Sequence, residues 1–117
     1  MLDIGRALRV TVHLNADVSS SREFLYADVL DFLYAQQVAG VTVFRPDAGF
    51  GYHHRLHTKG APGTEGQHLP IRLEFIDRRE VVDRLMPELL LMVTDGMVEV
   101  QETTILKVAH SDDRKQQ

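Results

Sequence analysis

The residue types suited to chemistry concentrate in one stretch, Gly40 to Gly60, which reads GVTVFRPDAGFGYHHRLHTKG. Its centre is Gly49-Phe50-Gly51, followed by Tyr52, His53, His54, Arg55 and His57. Glycine reaches positive φ without strain and carries no Cβ, so backbone amides there can approach an anion closely. The histidines raise two other chemistries. His53 and His57 are four residues apart, the spacing that sets two imidazoles on one helix face for a metal. The cluster beside Asp47, Glu65 and Arg55 would suit acid–base work. The glycines weaken the helix that the first reading needs, and an exposed histidine-rich loop is more often solvated than metallated. The second reading lacks a nucleophile elbow, a P-loop or a zinc-protease helix. It would also place a catalytic group on a loop without rigid support. The stretch therefore reads as a ligand-binding loop base, not an active site, with no metal and no cofactor assigned.

Composition bounds what can carry such a loop. At 117 residues and 44% hydrophobic content the chain supports one domain with one core. A formal charge of -4 offers no basic stripe to neutralise phosphates, which argues against nucleic acid and equally against an anionic membrane. The sequence has no cysteine, so disulfide scaffolds, thiolate metal sites and cysteine nucleophiles are excluded. The longest apolar run, Leu89 to Val93, is too short to span a bilayer, and Met1 to Arg9 lacks the apolar region of a signal peptide. The expected location is the cytoplasm.

The elements that must position the loop follow from periodicity. Leu8, Val10, Val12 and Leu14 alternate with Arg9, Thr11 and His13, the pattern of a half-buried strand. Ser20 with Glu23 forms a capping box for a helix that presents Leu25, Val29, Phe32, Gln36 and Ala39, with Leu33 beside them, and ends at a Gly40 C-cap. Val41-Thr42-Val43-Phe44 is β-branched and aromatic, a strand that runs straight into the loop. The connection continues to about Pro70 without apolar periodicity, a length usually functional or disordered. Pro70 opens a strand with Ile71, Leu73 and Phe75 inward and Arg72 and Glu74 outward. Asp77, with Glu80 three residues on, caps a second helix whose stripe is Val82, Leu85, Met86, Leu89 and Val93. Pro87 removes one amide donor and predicts a kink. Asp95-Gly96 turns the chain into a final strand from Met97 to about Val108.

The order is β-α-β-β-α-β: an α+β, ferredoxin-like sandwich with a four-stranded antiparallel sheet and both helices on one face. The domain is 1–117, its core about 7–109, with a mobile loop about 50–69 and a frayed tail from 110 to 117. On the open face the alternation places Thr11, Thr42, Phe44 and Ile105, a surface too apolar to be simply solvated, which self-association would cover.

Gly40-Val41-Thr42-Val43, then Gly49-Phe50-Gly51 and a long loop, resembles the start of the T-loop in PII signalling proteins. The exit of the second helix, Leu89-Leu90-Leu91-Met92-Val93-Thr94-Asp95-Gly96-Met97-Val98, resembles still more a PII-like family of unknown function often encoded beside fluoride exporters. The resemblance covers roughly Leu8 to Val108. It implies a homotrimer with ligand sites, for an adenine nucleotide, in the clefts between subunits. It also implies signalling through the loop to a membrane transporter or other protein target. Gly49, Phe50 and Gly51 match the loop base, and Tyr52 and His53 stand where PII proteins place polar contacts. PII proteins have a longer glycine-rich turn with a phosphate-binding lysine; here Met97 takes that place, and Lys107 from a neighbouring subunit is the candidate substitute cation. A metal-responsive trimer using the loop histidines, or a structural trimer that binds partners without ligand, are the alternatives.

Overall fold

Strand β1 (Gly5–Asn15) is the centre of the sheet because its alternation satisfies two surfaces at once. Val10 and Val12 are fully buried on one side, and the strand pairs antiparallel along both edges, with β5 (Pro70–Asp77) and β6 (Gly96–Ile105). The computed structural model describes residues 2–15, 25–49, 57–58 and 70–111. The remaining elements are α1 (Leu25–Ala35), β2 (Thr42–Phe44), α2 (Arg79–Met92) and a short ribbon of β3 (Ala48–Gly49) with β4 (His57–Thr58). The main sheet has the order β2-β5-β1-β6 with every described pairing antiparallel, the ferredoxin-like arrangement. Leu8, Val10, Val12, Leu14, Ile71, Leu73 and Phe75 meet Leu25, Val29 and Leu33 of α1 and Val81, Val82, Leu85 and Leu89 of α2 in one core.

Helix α1 ends earlier than Gly40. Gln37 takes the left-handed conformation (φ 61°), its amide donates to the Tyr34 carbonyl at 3.0 Å, and the Val38 amide donates to that of Leu33 at 3.5 Å. These two bonds are the Schellman closure, and Val38 adds the apolar contact that accompanies it. Gly40 lies beyond the closure, and β2 begins only at Thr42. The capping box at Ser20 and Glu23 lies outside the described residues.

Asp77 does not cap α2 directly. The N-cap is Arg78, and Asp77 is the last residue of β5. Its carboxylate is buried and accepts two backbone amides, Arg78 at 2.8 Å through Oδ1 and Ala39 at 2.9 Å through Oδ2. It thereby ties the entry of α2 to the chain leading into β2. Arg84 adds a second tie by donating to the Gln36 carbonyl at 2.8 Å. Helix α2 runs through Pro87, since the apolar stripe on either side, Leu85 and Leu89, stays in the core. Strand β6 ends at Ile105, three residues before the expected Val108.

The open face differs from the apolar surface that alternation suggested. Thr42, Phe44, Thr11 and Ile105 do lie on it, but they are interleaved with a polar ladder. The Thr11 hydroxyl donates to Glu74 at 3.4 Å, Arg9 lies 4.0 Å from Glu74 and donates to Gln101 at 3.3 Å, and His13 meets Glu99 at 3.4 Å. Cross-strand neighbours of opposite charge explain how this face tolerates water.

Two substitutions test these constraints. Asp77→Ala orphans two amides and is expected to lower stability by about 2 kcal/mol in urea unfolding, with Asp77→Asn milder. Gly96→Ala is expected to destabilise comparably, because Gly96 sits at φ +154° and a Cβ would collide with the His13 carbonyl. Unchanged unfolding midpoints would remove either residue from this account.

Candidate functional site

The loop base is built where three elements finish. β2 ends at Phe44, β5 begins at Pro70, and the ribbon of Ala48–Gly49 with His57–Thr58 stands between them in sequence. Ala48 pairs with Thr58 and Gly49 with His57. The connection therefore carries backbone pairing that its lack of periodicity did not announce, because two-residue strands are too short to show a period of two. His57 lies in an extended strand, so the helical spacing proposed for His53 and His57 does not apply.

Gly49 is needed here for room, not for a left-handed backbone. Its φ lies outside the positive range, and a Cβ would sit 3.2 Å from Cγ of Pro70. The ribbon thus rests on the first residue of β5. Phe50, Gly51, Tyr52 and His53 lie outside the described residues, as do His54, Arg55, Glu65 and His68.

Beside the ribbon is an open groove of about 430 Å³ lined by His13, Phe44, Arg45, Pro46, Pro70, Ile71 and Arg72. Sheet register explains its composition. Phe44 is directly opposite Arg72, Arg72 opposite His13, and His13 opposite Met97. Directly opposed residues share a face, so these four side chains form one row across the end of the open side. The Arg72 guanidinium lies 4.2 Å from the centre of the Phe44 ring. Arg45, one residue past β2, reaches Tyr26 on α1: its guanidinium carbon lies 5.0 Å from the ring centre, and Nη2 donates to the Tyr26 hydroxyl at 2.8 Å. Arg45 and Arg72 thus both line the groove, each beside an aromatic ring of its own.

Sequence reasoning singled out the glycines and histidines and passed over Arg45, Arg72 and Phe44 as site residues. The missing signal was cross-strand: Phe44 and Arg72 are far apart in the chain and become neighbours only through the β2–β5 register. Lys107 is placed elsewhere. It is exposed just beyond β6, whose Ile105 pairs with Gly5, eight positions along from the His13–Met97 pair. At the rise of a strand that is roughly 25 Å from the groove, so Lys107 of the same subunit does not reach the loop base. Among the described residues no group of three or more His, Asp or Glu converges on a metal position, and no helix is long and apolar enough to cross a membrane.

Residues 7–105 match the model of the family described as DUF190, uncharacterized ACR. The fold is similar to that of CPII, a nitrogen regulatory PII-like protein from Thiomonas intermedia K12 whose structure holds ADP, AMP and bicarbonate. That match has a TM-score of 0.63 and 16% identity, over 92% of this chain and 94% of that one. It is similar also to a putative PII-like signaling protein, TTHA0516, from Thermus thermophilus, with a TM-score of 0.63 and 17% identity over 89% and 93% of the two chains. A DUF3240 family protein from Shewanella baltica OS155 matches with a TM-score of 0.55 and 12% identity, over 91% and 96%. The ferredoxin-like fold of the chain is therefore the PII-like one.

The contact between ribbon and β5 yields a direct test. Gly49→Ala asks Pro70 to yield by a few tenths of an ångström and is expected to cost under about 1 kcal/mol, whereas Gly49→Val adds a branched side chain and is expected to cost more. Thermal melting of the two variants checks the order; equal melting temperatures would contradict the packing described.

Proposed function

The chain belongs to the DUF190 family and carries a PII-like fold, and we infer from its loop base that it is a ligand-binding regulator that works as a homotrimer. Its ligand is an adenine nucleotide, held in the cleft where one subunit's loop base faces its neighbour. The loop beyond Gly49 carries the response to a protein target. The observation that supports this most is the cationic, partly aromatic groove immediately beside the Gly49 ribbon. Guanidinium groups supply donors for phosphate, and the ribbon, resting on Pro70, sets the loop root beside them.

Ligand binding at this place has a mechanical consequence. The groove and the ribbon share Pro70 as a wall and a support, so a ligand seated against Arg72 and Pro70 lies at the root of the loop. A nucleotide ordering that root restricts the loop, which is the physical content of signalling here. Met97 gives the row no charge of its own, but Arg72 and His13 stand in the same row and bring cationic and hydrogen-bonding capacity to it. Lys107 of a neighbouring subunit is the further cation assigned to the cleft. Gly49, Phe50, Gly51, Tyr52 and His53 remain the loop-side contacts in this reading.

The same placement supports assembly with further copies of the chain. A ligand site completed by Lys107 needs a second copy, since the Lys107 of its own subunit lies at the far end of β6. The open face, with its paired ladder of Arg9, Glu74, His13 and Glu99, would pack against its copies through ordered charges and not through bare apolar surface.

Calorimetry with AMP and ADP, alongside light scattering, tests the proposal. The expected result is a trimer that binds AMP or ADP, with binding abolished by Gly51→Val while the trimer persists. A stable monomer at micromolar concentration would contradict the assembly. Zinc binding lost in His53→Ala or His57→Ala, with no nucleotide bound by the unmodified chain, would instead favour the metal-responsive reading.

A further inference from the structure

Building on the ligand-binding reading of the loop base, we propose that Arg45 and Arg72 form a pair that receives an oxyanion, a phosphate or carboxylate group, each arginine held against an aromatic ring.

Four of the described arginines differ in the company they keep, while Arg84 bonds the Gln36 carbonyl. Arg9 lies beside Glu74, and Arg79 lies 3.5 Å from Glu102, so both already face a carboxylate. Arg45 and Arg72 rest on rings instead, Tyr26 and Phe44. Neither has a carboxylate partner among the described residues. A ring attracts a cation through its quadrupole but does not neutralise it. A guanidinium is a planar fork of N–H donors, and this fork fits the two oxygens of a carboxylate or phosphate. Arg45 commits one donor to the Tyr26 hydroxyl and retains others. Stacking also holds a long side chain in one place and so reduces the ordering cost of binding.

Position completes the argument. Both arginines line the same groove, with Pro46, Pro70 and Ile71 as its uncharged walls. Glu99 meets the row at His13, 3.4 Å from Nε2, on the β6 side and away from Arg45, and Glu74, two residues along β5 from Arg72, is taken up by Thr11 and Arg9. The groove thus holds two arginines with no carboxylate partner among the described residues. Tyr26 and Phe44 act here as positioning residues: they hold the arginines and need not touch the ligand. Arg72 also fills a gap in the row, because it provides the positive charge that Met97 lacks.

The test measures affinity by calorimetry for four probes: AMP, adenosine, inorganic phosphate and bicarbonate. It compares the unmodified chain with Arg45→Gln, Arg72→Gln, Arg72→Lys and Tyr26→Phe, each checked for an unchanged melting temperature and oligomeric state. The pair predicts AMP binding at least about tenfold tighter than adenosine. Either glutamine variant is expected to erase most of that difference, with Arg72→Lys keeping part of it. Tyr26→Phe keeps the ring but loses the hydroxyl acceptor, so its effect on AMP is smaller than that of Arg45→Gln. If AMP and adenosine bind alike in every variant, the nucleotide reading stands and the arginine pair is overturned. If adenosine and AMP fail but phosphate or bicarbonate binds and needs both arginines, the pair stands and the nucleotide reading falls. Failure of all three anions to bind the unmodified chain overturns the pair.

Discussion

A one-residue slip of β1 against β5 or β6 would carry Val10 and Val12 out of the core and bring Arg9, Thr11 and His13 into it. Burying three polar side chains against Leu33, Leu85 and Leu89 costs more than a domain of this size can offset, so the register is strongly specified. That register then fixes everything the loop base depends on. It places Ile71 and Leu73 under the helices, which turns Arg72 to the open side, opposite His13 on one flank and Phe44 on the other. The groove is a consequence of core packing one residue away.

The second constraint is the Asp77 tie. β2 is three residues long and pairs with β5 alone, so little ladder energy holds it. What aligns it is upstream: Gln37 closes α1, and the Ala39 amide is fastened to the buried Asp77 carboxylate. Phe44 and Arg45 therefore inherit their positions from a carboxylate that sits at the opposite end of β5 from the groove. A site carried at the end of a short edge strand gains the rigidity it needs from such ties.

How much of this was legible in the sequence follows the range of each interaction. The strands with clean alternation, Leu8 to Leu14 and Ile71 to Phe75, and the stripe of Val82, Leu85 and Leu89 all lie where periodicity put them. Helix ends were less legible. A glycine invites a C-cap, but the chain closes α1 at Gln37, because the closure is set by which apolar residue, here Val38, returns to the core. Asp77 announced a cap and in fact bridges two segments, which no local pattern encodes. The glycine of the loop base was recognisable, though its physical role is clearance from Pro70 and not a special φ. The arginine pair was invisible locally, since its stacking partners lie on α1 and across the sheet.

The central claim is that the end of the sheet at Phe44, Arg45 and Arg72 is where a nucleotide enters. An amide-resolved NMR titration with AMP tests this most directly. The account predicts that the largest shifts fall on Phe44, Arg45, Gly49 and Arg72, with a further set at Lys107 from the neighbouring subunit. Shifts confined to the far end of the sheet, around Arg6, Arg79 and Thr104, or no shifts at millimolar AMP, would contradict it.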